Sequence, residues 1–434
     1  MSEAGVSAPT SQWHWRFLKF SRQLWVRTSF FAFMAVATAL LALAVKPYLP
    51  SGIGTGMGAE SVDSLLNILA SSMLAVTTFS LGIVLSAFGS AASHVTPRAA
   101  RLLMEDTATQ NALATFLGAF LFSIVGIIAL KAGVYGENGR LVLFVVTIAV
   151  IVVIVVTFIR WIEILRTFGR MGDTISRVEK ATRESFAARL ASPCLGGNPL
   201  LEAIPDDAVP LMSSRTGYVE HLDMGRLSGC AETHDTDIYL AALPGSFVHL
   251  SAPLAWVRSR GNLELPAEEI EAAFTIENHR TFEQDPRFGI TVLAEIASRA
   301  LSPAVNDPGT AIDVIGRGVR LLSGWTEKGD AESTYPRLWV KPIRAAEVFE
   351  DFFRPISRDG ASLVEVQIRL QKALLALAQC GVTGFPEAAR KQSREALERA
   401  EAALVVESDR EILRELSEKV LAIPDSHPAP DPGI

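Results

Sequence analysis

The residues best able to do chemistry in this chain lie between Asn278 and Thr310, in the stretch NHRTFEQDPRFGITVLAEIASRALSPAVNDPGT. Arg280, Glu283, Asp285, Arg287, Glu295, Arg299, Ser302, Asn306, Asp307 and Thr310 fall close together there. Seven of them form a candidate binding cluster: Arg280, Asp285, Arg299, Ser302, Asn306, Asp307 and Thr310. Helix starts at Ser302 and Asp307 would offer free backbone N–H groups to an anion. The same residues also have a structural use. Asp285-Pro286, Ser302-Pro303 and Asp307-Pro308 each set a capping side chain just before a proline suited to the first helical position. Arg299 would pair with Glu295 one turn earlier. The proline placement favours capping over a ligand site.

Other constellations are sparse. The seven histidines show no paired spacing on a helix, although His221, His234 and His249 fall in one region with Asp235 and Asp237 nearby. Cys194, Cys230 and Cys380 are scattered, which suggests neither a disulfide framework nor a zinc site. Serine-nucleophile and phosphate-loop patterns are absent. No metal or cofactor is expected, and nothing here assembles an enzyme.

The elements that must position these residues begin with a long apolar stretch, Val62–Ser93. Crossing a bilayer takes about 20 residues, so this one is long enough. At 100° per residue, Ser71, Ser72, Ala75, Thr78, Gly82, Ser86, Gly89, Ser90 and Ser93 share one side. Leu74, Leu81, Ile83, Val84 and Phe88 lie opposite, with Thr77 and Ser80 as exceptions. Small residues let helices approach closely in lipid, and a hydroxyl stripe can also line a path for water or ions. The candidate path-lining or packing residues are therefore Ser71, Ser72, Thr78, Gly82, Ser86, Gly89 and Ser90.

Three further runs make four expected membrane helices, at about 28–46, 62–92, 112–131 and 141–161, within a membrane region of 27–162. Residues 1–26, with Trp13, Trp15 and Trp25 among Arg16, Lys19 and Arg22, read as an interfacial anchor. The glycine-rich loop SGIGTGMGAE reads as a flexible linker. Basic residues flank the first helix, the loop after the second and the end of the fourth, which puts both termini in the cytoplasm. The loop His94–Asn111 carries Arg98, Arg101 and Glu105, a connecting helix at the headgroups or a coupling element.

Composition agrees with a membrane part joined to a polar part: 49% of the 434 residues are hydrophobic and 20% are charged. The net charge of −7 argues against nucleic acid as a partner. After the fourth run the helix either continues or bends near Gly169 and Gly172, and a Pro- and Gly-rich linker follows, together 163–210. A small β-rich, barrel-like module is expected over 211–276, with strands at Thr216–His221, Asp237–Ala242 and Ser246–His249 and a helix at Met224–Glu232. Then comes a helical domain, 277–425, and a disordered tail, 426–434. Its expected helices include Arg287–Leu301, Thr310–Leu322, Ala345–Phe353, Leu363–Ala378 and Glu387–Val405, preceded by Glu268–Phe274. Ser408 and Glu411 suggest a capping box for the last, Glu411–Leu421. The fold class is an α-helical membrane protein with a cytoplasmic α+β C-terminal region.

The segments RTFEQDPRFGI at 280–290 and ALSPAVNDPGTA at 300–311 resemble the signature of the domain of unknown function 2254 family. The likeness extends upstream to residues 77–120 and to GYVEHLD at 217–223. It implies a bacterial inner-membrane protein with several spans and a cytoplasmic domain, and no particular activity. The functional expectation is an oligomer that passes a small ion or solute along the second membrane helix, regulated by its cytoplasmic part. The alternative is a non-conducting membrane-anchored scaffold or sensor that binds a partner through the 280–310 cluster. Its partners would be the lipid bilayer, further copies of itself, and a small ion or solute.

Overall fold

The computed structural model describes residues 59–104, 106–133, 137–260, 266–325 and 333–424, with four isolated positions at 26, 29, 33 and 37. The interfacial anchor, the first expected membrane helix, the glycine-rich loop up to residue 58 and the C-terminal tail lie outside the described stretches. The described chain divides into two compact units, with the boundary between Thr174 and Ile175.

The first unit is helical: α1 (Ala59–His94), α2 (Pro97–Met104), α3 (Thr107–Lys131) and α4 (Glu137–Thr167). Among the described residues three helices are long and apolar enough to cross a membrane: Ser61–Ser93, Thr107–Lys131 and Gly139–Arg166. These match the second, third and fourth expected spans. α3 is the central one, with 56% of its most apolar window buried against 22% for each of the other two. Its inward positions are largely small (Ala112, Ala114, Gly118, Ala119, Gly126), which lets helices approach closely where lipid offers no hydrophobic drive. A Cβ at Gly126 would stand 3.1 Å from Leu66 Cδ1. Buried Thr115, Ser123 and Thr147 donate their hydroxyls to the carbonyl four residues earlier, so none of these three hydroxyls is stranded.

The face that α1 turns inward carries Val62, Leu66, Leu69 and Met73, which join Phe116 and Phe122 of α3 and Leu143, Val150, Ile154 and Trp161 of α4 in one core. Ser80 belongs to this inward face. It is 1% exposed and accepts the Trp161 indole N–H at 3.0 Å, which explains a hydroxyl on the apolar side. Each junction has a local cause. Thr96 caps α2 through the Ala99 N–H, and Asp106 caps α3 through the N–H and hydroxyl of Thr109. α4 stops because Gly169 turns left-handed at φ +77, and its missing side chain is filled by Ala87, 2.7 Å from where a Cβ would sit. Of the two alternatives, a bend rather than a continuous helix is found, made at Gly169, whereas Gly172 lies inside the next helix, α5 (Met171–Ala191).

The second unit follows as β1 (Gly197–Pro199), β2 (Val209–Met212), β3 (Gly217–Leu222), α6 (Met224–Thr233), β4 (Thr236–Leu240), β5 (Phe247–Val248), β6 (Pro253–Ser259), α7 (Ala267–Glu271) and β7 (Phe274–Glu277). It continues as α8 (Pro286–Ala300), α9 (Pro308–Leu322), β8 (Tyr335–Val340), α10 (Ala345–Asp359), α11 (Val364–Ala378), α12 (Phe385–Ala403) and α13 (Glu407–Leu421). The three expected strands and the helix between the first two are present. The barrel-like form is corrected: the strands make two open sheets, β1-β8-β4-β6-β2 and β5-β3-β7. β8 pairs in parallel with both β1 and β4, and such pairs need long crossovers that no local pattern announces. Phe274, read as a helix end, instead opens β7.

The helical layer is centred on Phe349, Phe352, Phe353 and Phe385, all fully buried. α10 runs through Pro355 and ends six residues later than expected, at Asp359. α13 begins at Glu407 behind Val406 with no side-chain cap bond, so the Ser408 capping box does not form. The helix starts one residue before the serine that was to precede it.

Candidate functional site

The stripe on α1 is the first candidate. Ser71, Thr78, Gly82, Ser86, Gly89 and Ser90 are exposed and Ser72 is half-buried. They sit roughly opposite the inward face at 100° per residue. Leu74 and Leu81, on the apolar side opposite the stripe, are also exposed, at 46% and 44%. The core is built instead from the Val62–Leu66–Met73–Ser80 line. A Cβ added at Gly82 or Gly89 would meet nothing within 4 Å. Their smallness therefore serves no contact among the described residues of the same chain. Several hydroxyls of the stripe turn back on their own helix: Ser71 to Asn67 O at 3.0 Å, Ser72 to Ile68 O at 2.7 Å, Thr78 to Leu74 O at 3.1 Å. Exposed Ile68 and Phe79 interrupt the stripe with bulk. No acidic or basic residue occurs from Ser64 to Ser93, so this face is polar without charge.

On the expected coupling loop, Arg98 and Arg101 are exposed on α2, which buries Ala99, Ala100 and Leu103. Ala100 and Leu103 pack with Ala91 and Phe168. Glu105 lies outside the described residues.

The polar cluster at 280–310 does not converge. α8 has 15 residues, so it is about 22 Å long at 1.5 Å per residue, and the expected residues fall at its two ends. At its start, Asp285 accepts the Phe288 N–H at 3.1 Å and the Arg280 Nε–H at 2.7 Å. Arg280 also lies over the Phe288 ring, 5.1 Å from its centre. Gly245, at φ +93 in the Pro244-Gly245-Ser246 turn, packs its α-carbon against this carboxylate; a Cβ there would be 2.2 Å from Oδ2. Burial pushes the Asp285 carboxyl up, against the pull of Arg280 and of the Phe288 N–H. Arg189 of α5 is buried nearby, and its Nε finds no hydrogen-bond acceptor. Burial lowers that guanidinium to about 10, opposed by Cys194 and by Asp285.

Past the far end of α8, Asp307 caps α9 by accepting the Thr310 N–H at 3.1 Å and its hydroxyl at 2.5 Å. Those bonds hold the Asp307 carboxyl below its usual range. No helix begins at Ser302. Its hydroxyl donates to Arg299 O at 2.7 Å, and the chain turns through Asn306 at φ +51 before α9 starts. Glu295 and Arg299 are half-buried one turn apart on α8. Arg287 bridges to α10, meeting Glu347 at 2.5 Å and Asp351 at 2.7 Å.

The strongest charge centre was not anticipated. Glu179 on α5, 7% exposed, takes Arg183 at 2.8 Å, Arg317 at 2.8 Å and Arg320 at 3.1 Å. Burial raises its carboxyl, but Arg320 and Arg317 outweigh this and hold it below the usual range. Arg317 is shared with Asp313 one turn earlier. The Asp313–Arg317 and Glu179–Arg183 spacings were legible as helical pairs; the joining of α5 to α9 was not. The three histidines that share this region of the sequence stay apart in role. His221 is buried on β3, His249 accepts the Ser251 N–H, and His234 lies 3.4 Å from Glu269.

The family model described as a predicted membrane protein (DUF2254) matches residues 21–376. Similar curated proteins include an uncharacterized protein of Mycobacterium bovis and one of Mycobacterium tuberculosis, each 26% identical over 272 residues. Those matches cover 58% of this chain and 50% of each relative, so the chain matches about half the length of these relatives. No solved structure matches the chain. With three bilayer-length apolar helices and a family match over most of its length, the chain is a membrane protein and belongs to the DUF2254 family of predicted membrane proteins.

Proposed function

We propose that this chain is one subunit of a homo-oligomer in the bacterial inner membrane, in which α1 from several copies surrounds a path for a small ion or solute. The observation that carries this is the exposed stripe: six small or hydroxyl-bearing positions on the face of α1 that its own described helices leave open. One subunit of so few spans cannot enclose a path, so symmetry would have to supply the wall. The absence of charge from Ser64 to Ser93 fits a passive path better than proton coupling. Arg98 and Arg101 after α1 and Arg160, Arg166 and Arg170 at the end of α4 support an orientation with both termini and the second unit in the cytoplasm. There the second unit would regulate the path.

A second reading has its own observation. Ser71, Ser72 and Thr78 already donate to their own helix, which suits a close-packed, non-conducting contact between copies. In that case the protein is a membrane-anchored scaffold or sensor. Reconstituted flux separates the two. Ser86→Leu, at an exposed position, should abolish ion or small-solute release from liposomes while leaving the protein folded. Flux unchanged by that substitution, or none from the native protein, overturns the path.

A further inference from the structure

We propose that Cys230, His234 and Glu269 form a binding site for a divalent transition-metal cation of the zinc class. Cys230 lies on α6, and His234 is the residue that ends it, its N–H still donating to Cys230 O at 3.1 Å. The two are therefore one helical turn apart and face the same way. α7, five residues long, brings Glu269 to them. One ligand atom from each residue — thiol sulfur, imidazole nitrogen, carboxylate oxygen — lies within 4.8 Å of the other two, and His234 Nε2 is 3.4 Å from Glu269 Oε2. Bonds of about 2.0–2.3 Å from a tetrahedral ion require donor atoms about 3.3–3.8 Å apart, so only small side-chain movements would close the site. It is the one such group among the described residues.

The donor set selects the ion. A thiolate and an imidazole favour zinc and its neighbours over magnesium or calcium, which take oxygen alone. A thiolate and a carboxylate with a neutral imidazole balance a doubly charged cation. Binding displaces the thiol proton to water and leaves the fourth tetrahedral position open to a water molecule. Access is graded. Cys230 is buried, His234 is partly covered with 26% of its side chain exposed, and Glu269 reaches solvent with 59% exposed. The ion would enter from the Glu269 side. Arg226, one turn before Cys230, is the nearby positive charge that binding must overcome.

The histidines and the cysteines each lack a metal-ligand spacing among themselves, so neither residue type announces the site by itself. The mixed Cys-x-x-x-His spacing is the signal that remained. It joins α6 to α7 within the second unit, a role independent of anything α1 does.

Cobalt(II) is the probe, titrated into the full chain purified in detergent without a histidine tag. The native protein should bind one equivalent, with intense tetrahedral ligand-field bands and a near-ultraviolet sulfur-to-cobalt charge-transfer band. Zinc should bleach both. Cys230→Ser should remove the charge-transfer band, and His234→Ala should weaken binding by more than about 100-fold, beyond the loss typical of outer-shell changes. Cys194→Ser and Cys380→Ser should leave the spectrum unchanged. A folded native protein that shows no thiolate band, or one whose band survives Cys230→Ser, overturns the site.

Discussion

Asp285→Ala is expected to destabilise the second unit by about 3–5 kcal/mol, the scale for removing one partner of a buried ion pair. Three losses coincide at this position. The carboxylate is 4% exposed, so its removal leaves Arg280 without its acceptor inside the fold. The Phe288 N–H at the first turn of α8 loses its cap, worth about 1 kcal/mol by itself. Arg189, buried and lacking an acceptor at Nε, loses one of the two groups that offset its desolvation, Cys194 being the other. Asp285→Asn keeps the cap and the shape but not the charge, so it should fall between the native protein and the alanine variant. The denaturant midpoint of the full chain in detergent, followed by a probe in the second unit, orders the three. Equal midpoints for Asp285→Ala and the native protein would mean the carboxylate holds nothing together.

Phe352→Ala should cost a similar amount, about 3–5 kcal/mol, because the ring is fully buried and its removal opens a cavity. Its partner makes the prediction sharper. A Cβ at Gly318 on α9 would lie 2.2 Å from two carbons of the Phe352 ring, so α9 and α10 meet with a glycine under an aromatic face. Gly318→Ala in the native background should therefore overpack this contact, costing about 1–3 kcal/mol. In the Phe352→Ala background the same methyl enters the vacated space and should cost far less, or stabilise. The double-mutant cycle reads that coupling directly. Additive effects would show that the two positions do not touch.

Legibility from the sequence followed the range of the interaction. Asp285 and Asp307 were readable as caps because a cap and the N–H it accepts are three residues apart. Ser302 looked the same, yet its hydroxyl is captured by the Arg299 carbonyl behind it, a choice that spacing does not decide. The stripe on α1 was readable as a periodic pattern. Which side faced inward was not: Leu74 is exposed and Ser80 is buried, although both lie away from the stripe. Ser80 can be buried because Trp161, 81 residues away, donates to it. A still greater distance in sequence hid β8, whose parallel partner β1 lies well over a hundred residues earlier. It hid the Glu179 centre too, whose arginines on α9 come from another part of the chain. The proposed metal ligands are intermediate: Cys230 and His234 are one turn apart, but Glu269 arrives only through the fold.

The proposed path requires the stripe of α1 to meet its counterpart in another copy. Cysteine cross-linking in native membranes asks this directly, in a background with Cys194, Cys230 and Cys380 replaced by serine. Ser86→Cys should form oxidative dimers between full-length chains, whereas Ser80→Cys, buried against Trp161 within one subunit, should not. Monomeric Ser86→Cys alongside ready cross-linking of Val155→Cys, on the exposed side of α4, would place the contact elsewhere and contradict the proposal.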